Sequence, residues 1–174
     1  MATSHAGKEW RDYDLPMAED SYTVERSVRI DAPSQRIYDQ IADFRNWTSW
    51  SPWEGLDPDL ERSYSGAESG AGAVYGWSGN RKAGQGHMEI TEADQPTRVE
   101  IDLTFEKPWK SRNDTVFVIE PDGSGSRVTW TMTGHKTLMT RVLGVFTSLD
   151  KMVGPDFEKG LARLKAVTEQ QSST

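Results

Sequence analysis

Four segments between Val74 and Thr133 sort their side chains by parity, and that sorting limits what the chain can fold into. Tyr75 with Trp77, Met88 with Ile90, Ile101 with Leu103 and Phe105, and Val128 with Trp130 and Met132 fall on one side. The other side carries His87, Glu89, Thr91, Glu100, Asp102, Thr104, Arg127, Thr129, Thr131 and Thr133. Successive side chains of a strand point to opposite faces, so the pattern describes an antiparallel sheet with one packed face and one wet face. Thr115–Glu120 is ambiguous, because Val116 and Val118 are apolar as well as Phe117 and Ile119.

Turn chemistry divides this region into strands at Leu60–Ser65, Val74–Ser78, Gln85–Thr91, Thr97–Phe105, Thr115–Glu120 and Arg127–Thr133. The dividers are the Gly66/Gly70/Gly72 link, Gly79-Asn80, Asp94-Gln95-Pro96 and Pro121-Asp122-Gly123. Links this short favour antiparallel neighbours. Ahead of them, Tyr22–Ile30 alternates as a strand, and Asp31-Ala32-Pro33-Ser34 opens a helix that runs to about Ala42. After them the period changes. Val142, Phe146, Leu149, Val153, Phe157, Leu161, Leu164 and Val167 mark one face of a long amphipathic helix, through Gly154-Pro155. Pro155 removes a backbone donor and should kink this helix without changing its buried side. The expected class is α+β, in the order strand, helix, six strands, long helix.

Composition excludes several kinds of chemistry. The 174 residues include no cysteine, which rules out disulfides, thiol nucleophiles and cysteine-bound metals and fits a reducing, cytoplasmic setting. A net charge of -7 argues against tracking nucleic-acid phosphates. No stretch approaches the ~20 apolar residues that span a bilayer, so no integral membrane segment is expected. His5, His87 and His135 have no partners at metal spacing, and neither metal nor cofactor is assigned. Residues 1–20 read as a flexible polar tail, native or left from expression, residues 21–169 as one ligand-binding domain, and 170–174 as a disordered end.

Gly70-Ala71-Gly72-Ala73-Val74-Tyr75 is not a dinucleotide fingerprint, since Tyr75 replaces the third glycine and the run enters a strand. The inward parity positions contain no carboxylate, so no acid–base pair can be placed there. They are rich in rings, which either line a hollow or pack solidly on the last helix. Trp47, Trp50 and Trp53 fall within seven positions. Trp47 is expected to be a hydrophobic plug, and Trp50 and Trp53 to stand at a pocket rim.

Taken together, Val24-Glu25-Arg26, Ile30-Asp31-Ala32-Pro33, Ile41-Ala42-Asp43-Phe44, Trp50-Ser51-Pro52-Trp53, Tyr75-Gly76-Trp77-Ser78-Gly79-Asn80, Gly84–Ile90, Thr129-Trp130-Thr131-Met132 and Asp156–Leu161 resemble the START-like (SRPBCC) helix-grip superfamily, in its bacterial polyketide cyclase/dehydrase-like branch. The resemblance covers Tyr22 to Glu169. It implies a curved sheet gripping the C-terminal helix around a cavity, in a superfamily of enzymes and non-catalytic carriers. Gln85 stands where similar sequences often have an acidic residue, and a polar tail replaces the membrane anchor of many relatives.

The function expected is binding of a small hydrophobic or aromatic molecule by a monomer or homodimer. Its contacts would be Trp50, Trp53, Tyr75, Trp77, Met88, Leu103, Phe105, Phe117, Trp130, Met132, Phe146, Val153 and Phe157. The alternative is a cyclase or dehydratase in the same cavity, with Tyr75 as candidate donor and Asn46, Asn113 or His135 as helpers.

Overall fold

The computed structural model of the chain describes residues 21–135 and 149–170. The expectations for both chain ends, for the helix before Leu149 and for Phe146 lie outside those residues, as do the side chains of His5 and His135.

Strand β1 (Ser21–Ile30) is followed by α1 (Ser34–Ala42) and a 3₁₀ turn (Phe44–Ser49). Six strands succeed them: β2 (Glu61–Gly66), β3 (Ala73–Ser78), β4 (Gln85–Asp94), β5 (Arg98–Lys107), β6 (Ser111–Asp122) and β7 (Gly125–His135). Helix α2 (Leu149–Gln170) contains Pro155 and continues past it. Pro33 sits just before α1 as its extended N-cap, one place earlier than the first helical turn.

The strands form one antiparallel sheet in the order β1-β7-β6-β5-β4-β3-β2. Every neighbour but one is a sequence neighbour, as short turns dictate. The exception pairs β1 with β7, from Ser21↔His135 to Ile30↔Ser126, and brings the two ends of the sheet region together. Helix α2 lies against β1 and buries Phe157, Leu161 and Leu164. This is the helix-grip arrangement.

Parity holds along the sheet. Met88, Ile90, Ile101, Leu103, Val128, Trp130 and Met132 are buried, whereas His87, Glu89, Thr91 and Arg127 are exposed. The ambiguity of β6 resolves in favour of Asn113, Thr115, Phe117 and Ile119 as the inward set, with Val116 and Val118 half-buried on the outer face. In a register set by β5 and β7 on either side, that strand has no freedom to turn over.

Half of the grip is solid. Phe117 and Trp130 stack with centroids 4.8 Å apart, and Trp130 stacks on Phe157 at 3.9 Å. Trp50 meets both Phe117 and Trp130 edge-on at about 6 Å. Rings in these geometries gain quadrupole attraction beyond their burial.

Candidate functional site: an apolar cavity beside the ring core

Where β1 begins and β7 ends, the inner face of the sheet stands clear of the segment Phe44–Leu60. The space between them is a cavity of about 370 Å³, a size suited to a small organic molecule. Its far wall is a run of rings on adjacent strands. Tyr64 faces Tyr75 at 5.4 Å, Tyr75 stacks on Trp77 at 5.9 Å, and Trp77 meets the edge of Phe105 at 5.5 Å. Met88, Leu103 and Met132 floor it, and Val153 enters from α2. Phe44, Trp47 and Trp53 close it from the 3₁₀ turn and the loop that follows.

Two polar corners interrupt this lining. At one, the Tyr22 hydroxyl donates to Asn113 Oδ1 across 2.5 Å. β7 runs between these two residues, and Gly134 makes the contact possible, because a Cβ there would collide with both groups. At the other, the Arg62 guanidinium holds the Glu54 carboxylate at 2.5 Å beside the hydroxyl of Tyr75. The Tyr75 phenol is pushed up to about 12, first by burial, then by the Glu54 carboxylate and Tyr64, while Arg62 pulls weakly the other way. Burial likewise raises Tyr64 and Tyr22. All three phenols therefore remain protonated near neutrality and can donate hydrogen bonds.

Three indole N–H groups are committed to backbone carbonyls, while that of Trp130 is buried without a partner among the described residues. Trp47 donates to the Ile41 carbonyl at 2.9 Å, Trp50 to Gln40 at 3.2 Å and Trp77 to Ala83 at 3.1 Å. These rings offer a ligand faces rather than donors. A second hollow, of about 480 Å³, lies beside α1 with Asp39, Asp43, Asn46, Ser69 and Gln95 on its walls and only Tyr38 for a ring.

Residues 21–169 match the family described as "Polyketide cyclase / dehydrase and lipid transport". The chain belongs to that family. Among solved structures, a Thermus thermophilus protein superposes with a TM-score of 0.63 at 20% identity, covering 87% of this chain and 99% of its own. A Chromobacterium violaceum protein gives 0.62 at 13%, covering 84% and 96%. Ara h 8.0201 gives 0.59 at 13%, covering 86% and 99%. At these identities the likeness is one of fold. No curated protein matches the sequence.

Within this polyketide cyclase/dehydrase and lipid-transport fold, the structure divides twelve of the thirteen expected contacts, Phe146 lying outside the described residues. Trp53, Tyr75, Trp77, Met88, Leu103, Phe105, Met132 and Val153 stand on the cavity wall. Trp50, Phe117, Trp130 and Phe157 do not, because they are taken up by the stacked core, where each is at most 2% exposed. Trp47 is buried against Phe117 and Trp130 as the expected plug and also reaches the cavity, whereas Trp50 joins it in the plug instead of standing at the rim. Asn113 lies on the wall, whereas Asn46 donates to the Asp39 carbonyl at the second hollow.

Sequence reasoning missed Tyr22, Phe44, Glu54 and Tyr64. Tyr64 shares its strand parity with Arg62, and its pairing with Tyr75 could have signalled it. Glu54 sits in a loop, where parity has no meaning. The inward strand positions carry no carboxylate, as expected, and the one on the cavity wall comes from this loop instead.

Proposed function

We propose that this cavity holds a small, mainly apolar, ring-bearing molecule and that the protein is a carrier or binder of it. The observation that carries the reading is the sheet's ring wall, Tyr64–Tyr75–Trp77–Phe105, standing open over about 370 Å³ while the neighbouring rings are stacked shut. Affinity would come from burying apolar area at ~25 cal/mol per Å². Orientation would come from a polar end of the ligand meeting the Tyr75 hydroxyl or the Tyr22–Asn113 pair. The cavity residues named above are the proposed contacts.

Native mass spectrometry of freshly purified protein tests this. A co-purifying small molecule released on denaturation is expected. Protein that emerges empty, and then takes up no apolar fluorophore, would overturn the reading.

One observation favours a second reading, catalysis of a cyclisation or dehydration. The Tyr75 phenol stays protonated beside the Glu54 carboxylate and the Arg62 guanidinium, so it can donate a hydrogen bond to the oxyanion that develops as a bound polyketone condenses. A cavity that folds a reactive polyketone correctly also accelerates its condensation by orientation. Turnover of an added poly-β-keto substrate, abolished in Tyr75→Phe while binding persists, would establish this reading over the first.

A further inference from the structure

We propose that the hollow beside α1 is a second binding site, which takes a small organic diammonium ion. It lies between the C-terminal turn of α1, the glycine-rich link after β2 and the β4–β5 turn, and encloses about 480 Å³. It shares no lining residue with the ring-walled cavity. Asp39 and Asp43 line it from the end of α1, four positions and so one helical turn apart. Asn46, Ser69 and Gln95 add neutral polar groups, and Ala42, Ala71 and Ala93 take up little of the space.

Tyr38 points to a ligand there. The residue is only 7% exposed, and its hydroxyl makes no hydrogen bond among the described residues. That hydroxyl faces the hollow beside Gly70, where a Cβ would lie 3.9 Å from it. Buried polar groups are hydrogen-bonded almost without exception, so the partner has to come from what occupies the hollow. Burial first, then the carboxylates of Asp39 and Asp94, hold the phenol above its ordinary value. It therefore stays neutral, with an oxygen ready to accept an N–H.

Charge sets the sign of the occupant. Asp39 accepts from the neutral amide of Gln35, and Asp43 from the Arg45 backbone N–H, so both keep their charge. Asp94 acts on Tyr38 from the β4–β5 turn, and Glu68 stands exposed on the link. The cations nearby are Arg36 on α1 and Arg45, whose guanidinium is 3.8 Å from Asp43 but lies over the Tyr64 ring and donates to the Glu68 carbonyl. Arg98, across from Asp94, is taken by Glu100. With every one of these counted, carboxylates remain in excess. The last turn of α1 also lacks a basic residue to meet the negative end of the helix dipole. A metal ion is a poor fit, since no three His or acidic side chains among the described residues gather closely enough to hold one. An organic ion with two separated ammonium groups can reach Asp39, Asp43 and the Tyr38 oxygen together.

Titration calorimetry of the full chain with 1,4-diaminobutane tests it, beside 1-aminobutane and magnesium chloride at matched ionic strength. The diamine is expected to saturate, with the monoamine about tenfold weaker for want of one charge-assisted contact, and magnesium giving no saturable heat. Tyr38→Phe keeps the ring and should weaken the diamine about 2–10-fold, the value of one hydrogen bond. Asp39→Asn/Asp43→Asn keeps the shape and should abolish binding. None of these residues lines the apolar cavity, so both variants should take up an apolar fluorophore as the parent does, and the diamine should not displace it. No binding of the diamine, equal binding of the monoamine or of magnesium, or undiminished binding by either variant would overturn the site. So would displacement of the fluorophore, which would put the diamine in the apolar cavity. Diamine binding by a parent that takes up no fluorophore would leave this site standing and the carrier reading overturned.

Discussion

The indole of Trp130 and the ring of Phe157 lie face to face, 3.9 Å between centroids and 10° from parallel. One belongs to β7, beside the edge strand β1, and the other to α2, and their contact is where sheet and helix close on each other. Beyond it no ring among the described residues of α2 covers the sheet, and the cavity begins. Phe157→Ala should therefore cost about 3–5 kcal/mol and lower the melting temperature by roughly 10 °C. Calorimetry checks this, and a loss under about 1 kcal/mol would mean that the stack is not what seats the helix.

Tyr75→Phe removes a hydroxyl but leaves the ring wall intact. Ligand affinity should fall by about 2–10-fold, the value of one hydrogen bond, with little change in stability at neutral pH. Titration of a bound fluorophore in both proteins decides the matter; equal affinities would put the polar anchor at Tyr22–Asn113 instead.

The same residue shapes alkaline stability. Its folded value of about 12 lies above the ordinary 10.0, so the unfolded chain loses its proton first. Stability from this group is whole below about pH 10 and drains away as pH rises toward about 12. Tyr22, Tyr38 and Tyr64 are shifted the same way, so a slope remains without Tyr75. Denaturant melts across this range should show a shallower decline in Tyr75→Phe than in the parent.

Glu54→Gln keeps the shape of the corner and deletes its negative charge. Because that carboxylate is the second cause of the raised Tyr75 value, tyrosinate should form at lower pH in the variant. The difference in tyrosinate absorbance between Glu54→Gln and Glu54→Gln/Tyr75→Phe isolates the group. An unmoved titration would show that burial alone sets it.

Gly86 lies beneath Trp77 in the sheet, and a Cβ there would come within 2.6 Å of the indole and also meet the Thr104 carbonyl. Gly86→Ala should lift the ring into the cavity and strain its bond to the Ala83 carbonyl. Overpacking of this sort costs about 1–3 kcal/mol. Ligand uptake should drop together with the melting temperature, and unchanged uptake would place Trp77 outside the ligand's reach.

Much of the architecture could be read before any coordinates, because it rests on local repetition. Alternation in β3, β4, β5 and β7 placed Trp77, Met88, Leu103 and Met132 inward, and the 3–4 spacing of Phe157, Leu161 and Leu164 marked the buried side of α2. Strand β6 carried apolar residues at both parities, so its facing waited on its neighbours. The segment from Phe44 to Leu60 has no period at all. There the 3₁₀ turn aims both Trp47 and Trp50 at the stacked core, and only Trp47 also borders the cavity.

By itself the chain determined the strands, their inner faces and the gripping helix, since hydrophobic periodicity and turn residues act over a few neighbours. Tertiary structure alone decided which rings fill the interior and which surround a hollow. That choice depends on the three-dimensional approach of Trp50, Trp130 and Phe157, and on Glu54 and Arg62 meeting at Tyr75 from separate segments. Such distances arise from how curved layers close upon one another, and no spacing along the sequence encodes them.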